Sequence, residues 1–396
     1  MGRYYGRKPY ISSHDDYISF KKATTTAEIR SVAGDFPNIA MKKPYNNKNA
    51  NYSEMLHYFD SSIQRKEGHI SATSPFVIAV VPYVAPSVPV VTPPSVSLWT
   101  QKLDYPGSAS DRICASVNNK IYVMGGNATY SGKLYEYDPI ANTWTSKTPY
   151  PGNAVSWQIA AGCNGKIYCG TGLLDDGETV TDEWYEYDPS DDSWTIKTAF
   201  GGGGRKQGVA VGTSSKVYVG FGINSAGART KDWWEYDPTG NSWTEKTSYS
   251  GSEISNTSAF CVNDKVYTGM GYGETGDAYH DWWEYDPTGN SWAVKAEFPG
   301  INGETDGRYI FAGGVTSTKI YLGTGRGTVP FRYIKDWWEY NPAQNKWNQL
   351  EDFPVGPRSG AGSGYANEKI YLGLGDYFYS GTSYSYTDWW EYAPLS

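Results

Sequence analysis

From residue 98 onward, apolar and polar positions follow one phrase that recurs six times. Its centre is a short apolar strand opened by lysine and closed by glycine. It reads KIYVMGG at 120–126, KIYCGTG at 166–172, KVYVGFG at 216–222, KVYTGMG at 265–271, KIYLGTG at 319–325 and KIYLGLG at 369–375. About ten residues later comes an aromatic strand: LYEYDP at 134–139, WYEYDP at 184–189, DWWEYDP at 232–238 and 281–287, DWWEYNP at 336–342 and DWWEYAP at 388–394. A third strand opens at Trp144, Trp194, Trp243, Trp292 and Trp347. Side chains alternate between the faces of a strand, so each Trp-Trp pair sends one ring to either side, where it packs between adjacent units.

The leading residues follow other periods. Met55, Phe59 and Ile63, joined by Leu56, form an i, i+4, i+8 stripe within 53–66 that predicts one capped helix, with Gly68 after its end. A second short helix is expected over 26–32. Six prolines and eight valines in 74–97 exclude a helix there and predict extended chain, with Phe76–Val81 as a strand or strap. The expected organisation is therefore a docking arm with short helices over 1–73, a Pro/Val-rich linker or strap over 74–97, and the repeats over 98–396.

A period near 50, with a Gly-ended strand, a Tyr/Trp strand and a Trp-started strand, resembles the kelch repeat of β-propellers. The resemblance covers residues 98–396 and implies an all-β, six-bladed kelch-type β-propeller, preceded by a small extended or helical N-terminal arm. It departs from the kelch pattern in one respect: only the first copy carries a double glycine, Gly125-Gly126, and the others read G-x-G. The sixth copy stops after its third strand, and Leu98-Trp99-Thr100-Gln101-Lys102 has the W-x-x-K form of Trp144-Thr-Ser-Lys147. The N-terminal strand is thus expected to complete the last blade and remove the open sheet edges.

Charge divides the chain in the same place. Residues 1–97 carry 11 Lys+Arg against 7 Asp+Glu, and the remainder 23 against 35. The overall charge of −8 disfavours nonspecific nucleic-acid binding. Four cysteines without C-x-x-C spacing make neither a disulfide framework nor a zinc site. The first twenty residues lack the apolar run of a secretory signal, and Phe76–Val81 is too short to span a bilayer, so cytoplasmic synthesis without a signal peptide and no membrane insertion are expected.

Residues shared by all six copies are read as blade-building. These include Glu136, Glu186, Glu235, Glu284, Glu339 and Glu391, and the lysines that open each apolar strand. Buried carboxylates need partners, and the blades supply them. Asp-Pro and Gly-Asn segments such as 237–241 are read as turns and not as calcium ligands, so no metal and no cofactor are expected. Function is placed on the loops that vary between copies. There Arg205, Arg308 and Arg358 share a register 13 residues before the Tyr of their apolar strand, with Arg112 three residues out of it. They are expected around the channel mouth, converging on a carboxylate or phosphate, or else bonded to loop carbonyls and neighbouring acids. The sixth long loop, 376–387, holds Tyr377, Tyr379, Tyr384 and Tyr386 among Ser, Gly and Thr, and the fifth adds Phe331, Arg332 and Tyr333. Such mixtures suit a sugar, an anionic glycan or a protein surface.

The kelch resemblance raises two enzyme classes, the copper-radical oxidases and a sialic-acid mutarotase. An oxidase site needs two histidines with tyrosines, whereas 98–396 holds only His280. A mutarotase-like site needs only arginines and acids, for which Asp175, Asp176, Glu178 and Glu274 lie on variable loops. The sequence yields no nucleophile–base pair, so no catalytic residue is named and a non-enzymatic role is expected. The favoured expectation is a structural and receptor-binding component of a phage or phage-like particle, on whose surface it would reside. Residues 1–97, with Met55, Leu56, Phe59 and Ile63, would dock on a capsid, tail or other particle protein. The propeller would meet host-surface glycan or protein, without nucleic acid. The alternatives are an intracellular kelch scaffold for protein partners and a carbohydrate-active enzyme of the mutarotase kind.

Overall fold

The computed structural model describes residues 97–395, apart from segments at 108–111, 126–131, 154–155, 301–306 and 329–330. Residues 1–96 lie outside the described residues, and with them Met55, Leu56, Phe59 and Ile63, the expected helices and nearly all of the Pro/Val-rich stretch.

Each copy of the repeat folds into one antiparallel sheet of four strands, here a to d from the channel outward. The first blade runs Arg112–Val117, Lys120–Gly125, Leu134–Asp138 and Thr143–Lys147, and the next four repeat that order. In the sixth, Gly362–Ala366, Lys369–Gly373 and Trp389–Tyr392 are completed by Trp99–Gln101. Its register pairs Trp99 with Tyr392, Thr100 with Glu391 and Gln101 with Trp390. The described residues contain strands and turns but no helix. The ring is therefore closed by the strand the sequence assigned to it.

The core lies between blades. Trp233 opens strand c of the third blade and is fully buried against Tyr285 and Trp292 of the fourth, at 5.9 and 5.3 Å between ring centroids. Its neighbour Trp234 points to the other side, toward Phe200 at 6.1 Å. The two faces of one strand thus bind two different neighbours, as alternation requires.

Polar stitches accompany the aromatic packing. The Trp243 indole N–H donates to the Thr198 carbonyl at 3.0 Å. Asn241 accepts both the Thr198 amide, at 3.0 Å, and the Tyr236 hydroxyl, at 2.8 Å. The same contacts recur through Asn142, Asp192, Asn290 and Asn345. All five of these residues have a positive φ near 50°, a conformation that Asn and Asp tolerate better than most.

Around the axis the a strands approach very closely. A Cβ added to Gly212 would lie 1.9 Å from the Gly162 carbonyl oxygen, and one on Gly162 would lie 2.1 Å from that of Ser116. Glycine at these positions sets the bore of the channel, a cavity of about 280 Å³ lined largely by small residues such as Ala160, Ala210, Ala259 and Ala361.

Candidate functional site

Strand b ends in two residues of positive φ: Phe221-Gly222 in the third blade, Thr324-Gly325 in the fifth and Leu374-Gly375 in the sixth. The reversal folds the long b–c loop back over its own blade. The middle residue of G-x-G adopts the left-handed region that glycine favours, and full burial of its side chain offsets the strain. This turn exposes a carbonyl that the b–c ladder cannot satisfy. The arginines fill that place.

Arg205, Arg308 and Arg358 are each 0% exposed. Their guanidinium groups donate to the carbonyls of Phe221, Thr324 and Leu374 at 3.1, 3.2 and 3.0 Å. Each also grips the aspartate before its Trp-Trp pair with two bonds of 2.6–3.0 Å: Asp232, Asp336 and Asp388 respectively. An aromatic ring covers each cation, with Phe200, Phe298 and Phe353 at 4.4, 4.5 and 4.7 Å. Expectation of a convergent anion site at the channel mouth is thereby corrected. The three groups turn into their own blades, because a desolvated bidentate pair and an unsatisfied carbonyl outbid an open cleft. Tyr386 belongs with them, its ring 4.0 Å over Arg358. Arg112 begins strand a of the first blade, but its side chain lies outside the described residues.

One further blade solves the same problem without arginine. In the fourth, Ile254 occupies the arginine register and Tyr249 replaces phenylalanine, its hydroxyl donating to Asp281 at 2.7 Å. Wherever the arginine is present the preceding ring is Phe200, Phe298 or Phe353, and otherwise it is Tyr105, Tyr150 or Tyr249. That exchange is visible in the sequence once the partners are known.

The six repeated glutamates are blade-building, as their repetition implied. Each lies opposite the Tyr of its apolar strand and accepts that hydroxyl: Tyr122–Glu136 at 2.7 Å, Tyr168–Glu186 at 2.8 Å and Tyr371–Glu391 at 2.7 Å are representative. Lysines from strands b and d complete the pairs, as Lys166 and Lys197 do around Glu186. Burial works to raise the pKa of Glu186, Glu339 and Glu391, but these donors outweigh it and hold the carboxyls below their ordinary value. Asp232 follows the same balance: burial opposes, and Arg205 prevails. The turn aspartates Asp237 and Asp286 pair with Lys216 and Lys265.

Two of the variable-loop acids, Asp176 and Glu274, are also engaged. Asp176 accepts the amides of Glu178 and Thr179 in its own turn, and Glu274 pairs with Arg229 at 2.7 Å. His280 lies 3.5 Å from Glu297.

What the structure does bring together is the aromatic set of the fifth and sixth b–c loops. Each loop forms a β-ribbon. Arg326–Thr328 pairs with Phe331–Tyr333, and Asp376–Tyr379 pairs with Thr382–Ser385. Alternation places Tyr377, Tyr379 and Tyr384 on one face of the second ribbon and Phe378 on the other. Tyr377 is the centre: Tyr333 meets it edge-on at 5.0 Å, Tyr379 lies parallel at 5.9 Å, and Tyr384 follows at 6.2 Å. Phe331 extends the row, 5.7 Å from Tyr333. Phe331, Phe378, Tyr379 and Tyr384 remain 47–63% exposed. Arg332 is half-buried and alternates to the opposite face of its ribbon from Phe331 and Tyr333. Arg326 ties the two ribbons down, donating to Ser359 Oγ at 2.9 Å, pairing with Asp376 at 3.3 Å and lying over the Tyr333 ring.

These features define a class before any comparison: a six-bladed β-propeller with an aromatic, hydroxyl-rich patch at one sector of its variable face. The propeller is of the kelch type, and the family model described as the kelch motif matches residues 114–149. Among solved structures, one titled "Structure of YjhT" matches with a TM-score of 0.61 at 16% identity, over 72% of this chain and 96% of that one. At that identity the likeness concerns the fold alone. No curated protein matches the chain significantly.

Proposed function

We propose that this protein is a non-enzymatic binding and structural component of a phage or phage-like particle. Residues 1–97 anchor it to a capsid, tail or other particle protein, and the propeller presents its variable face to host-surface glycan or protein. The observation that carries the reading is the exposed row of Phe331, Tyr379 and Tyr384, held on ribbons tied by Arg326 and by the Tyr333–Tyr377 contact. Large aromatic rings beside hydroxyls, fixed in advance, bind at low ordering cost. The opposite net charge of residues 1–97 and of the remainder supports a division between anchoring and display.

Co-sedimentation from lysates of producing cells tests this reading. Full-length protein should travel with particles visible by electron microscopy, and a chain lacking residues 1–97 should stay in the supernatant with its propeller folded. Full-length protein found only in the soluble fraction, or retained attachment after the deletion, would overturn it.

A further inference from the structure

We infer that the paired ribbons of the fifth and sixth blades form a binding site for an uncharged saccharide, with Tyr379 and Tyr384 as its stacking platform. This inference rests on the binding reading above and narrows its ligand class. Three observations carry it.

The first is charge. Residues 377–387 contain no Lys, Arg, Asp or Glu. Two arginines beside this face are occupied, Arg358 fully buried on Asp388 and Arg326 held by Asp376, Ser359 and Tyr333, while Arg332 alternates to the opposite face of its ribbon from Phe331 and Tyr333. The surrounding propeller is acidic, with 23 Lys+Arg against 35 Asp+Glu beyond residue 97. An anionic chain would meet repulsion without a compensating bidentate partner.

The second is the mixture of groups. Every residue of Thr382–Ser385 is exposed, and the register sets the Thr382 hydroxyl on the face of Tyr379 and Tyr384, with Ser383 and Ser385 on the face of Phe378. An apolar protein partner would leave those hydroxyls buried without partners, at a cost. A sugar offers C–H faces to the rings and its own hydroxyls to Thr382, which shares their face, and to the tyrosine hydroxyls. The third is preorganisation. The parallel Tyr377 and Tyr379 rings, 9° apart in plane, and the edge-on Tyr333 fix the platform before any ligand arrives.

The test is an array of immobilised neutral hexose and N-acetylhexosamine oligosaccharides beside sialylated, sulfated and phosphorylated ones, probed with full-length protein at low and high salt. Binding to neutral oligosaccharides that changes little with salt is expected. Tyr379→Ala and Tyr384→Ala should each weaken it by roughly tenfold, while Ile196→Ser, an exposed change on the second blade, leaves it intact. Equal melting temperatures establish that all three variants fold. Signal confined to anionic glycans, a steep fall with salt, or undiminished binding by both tyrosine variants would overturn the inference. Protease-sensitive binding to host cells without any glycan signal would overturn it while sparing the binding reading. Binding to neither cells nor glycans would remove both.

Discussion

Trp99 and Tyr392 are strand partners whose rings stand 4.9 Å apart, so the first described strand and the last are joined in one blade. Trp337 and Phe353 of the fifth blade enclose the same indole at 5.0 Å each. Closure therefore joins a three-residue strand pairing to one indole that fills a pocket between two blades. Trp99→Ala should cost about 3–5 kcal/mol, the usual price of emptying a buried aromatic site. Chemical denaturation reads this directly, and a loss below about 1 kcal/mol would show that the ring closes by other means.

Comparison of the third and fourth blades predicts a rescue. Arg205→Ile should strand Asp232 beside an unsatisfied Phe221 carbonyl and destabilise the protein by about 3 kcal/mol or more. Adding Phe200→Tyr recreates the Tyr249–Asp281 arrangement of the fourth blade, and most of the loss should return. A double variant no more stable than the single one would contradict the equivalence of the two solutions.

Stability should fall on both sides of neutrality. Asp232, Glu186, Glu339 and Glu391 have folded pKa values held below the ordinary carboxylate range. The unfolded chain then binds more protons in acid, so stability is full above the unfolded value near pH ~4 and drains away below it. Burial, aided by Glu136, Glu186 and Glu391, raises Tyr122, Tyr168 and Tyr371 above their ordinary value. Unfolding releases those protons in base, so stability declines as pH rises past ~10. Urea midpoints measured from pH 3 to 11 should form a plateau, and an unchanged midpoint at pH 3 would reject the acidic arm.

Gly212 tests the crowding at the axis. Its missing side chain leaves room for the Gly162 carbonyl, so Gly212→Ala forces two inner strands apart. A loss of about 1–3 kcal/mol is expected from such overpacking. Calorimetry would show it, and an unchanged melting temperature would mean that the channel yields without strain.

Local rules were enough for the architecture. A repeat of apolar, aromatic and Trp-led strands gives each copy the same sheet, and the W-x-x-K form of 99–102 identified the missing strand, because strand pattern and pairing are periodic along the chain. The shared glutamates were equally legible, since a residue present in every copy faces the same Tyr and Lys in each. The arginines were not. Arg205 suits an open anion site or a buried ion pair alike, and only the folded turn, which brings Phe221 and Asp232 against it, decides between them. The aromatic loops were recognisable by composition, yet their union depended on the Tyr333–Tyr377 contact between neighbouring blades. Residue type proposes a chemistry, but burial and partners are properties of distant segments, and only tertiary packing sets them.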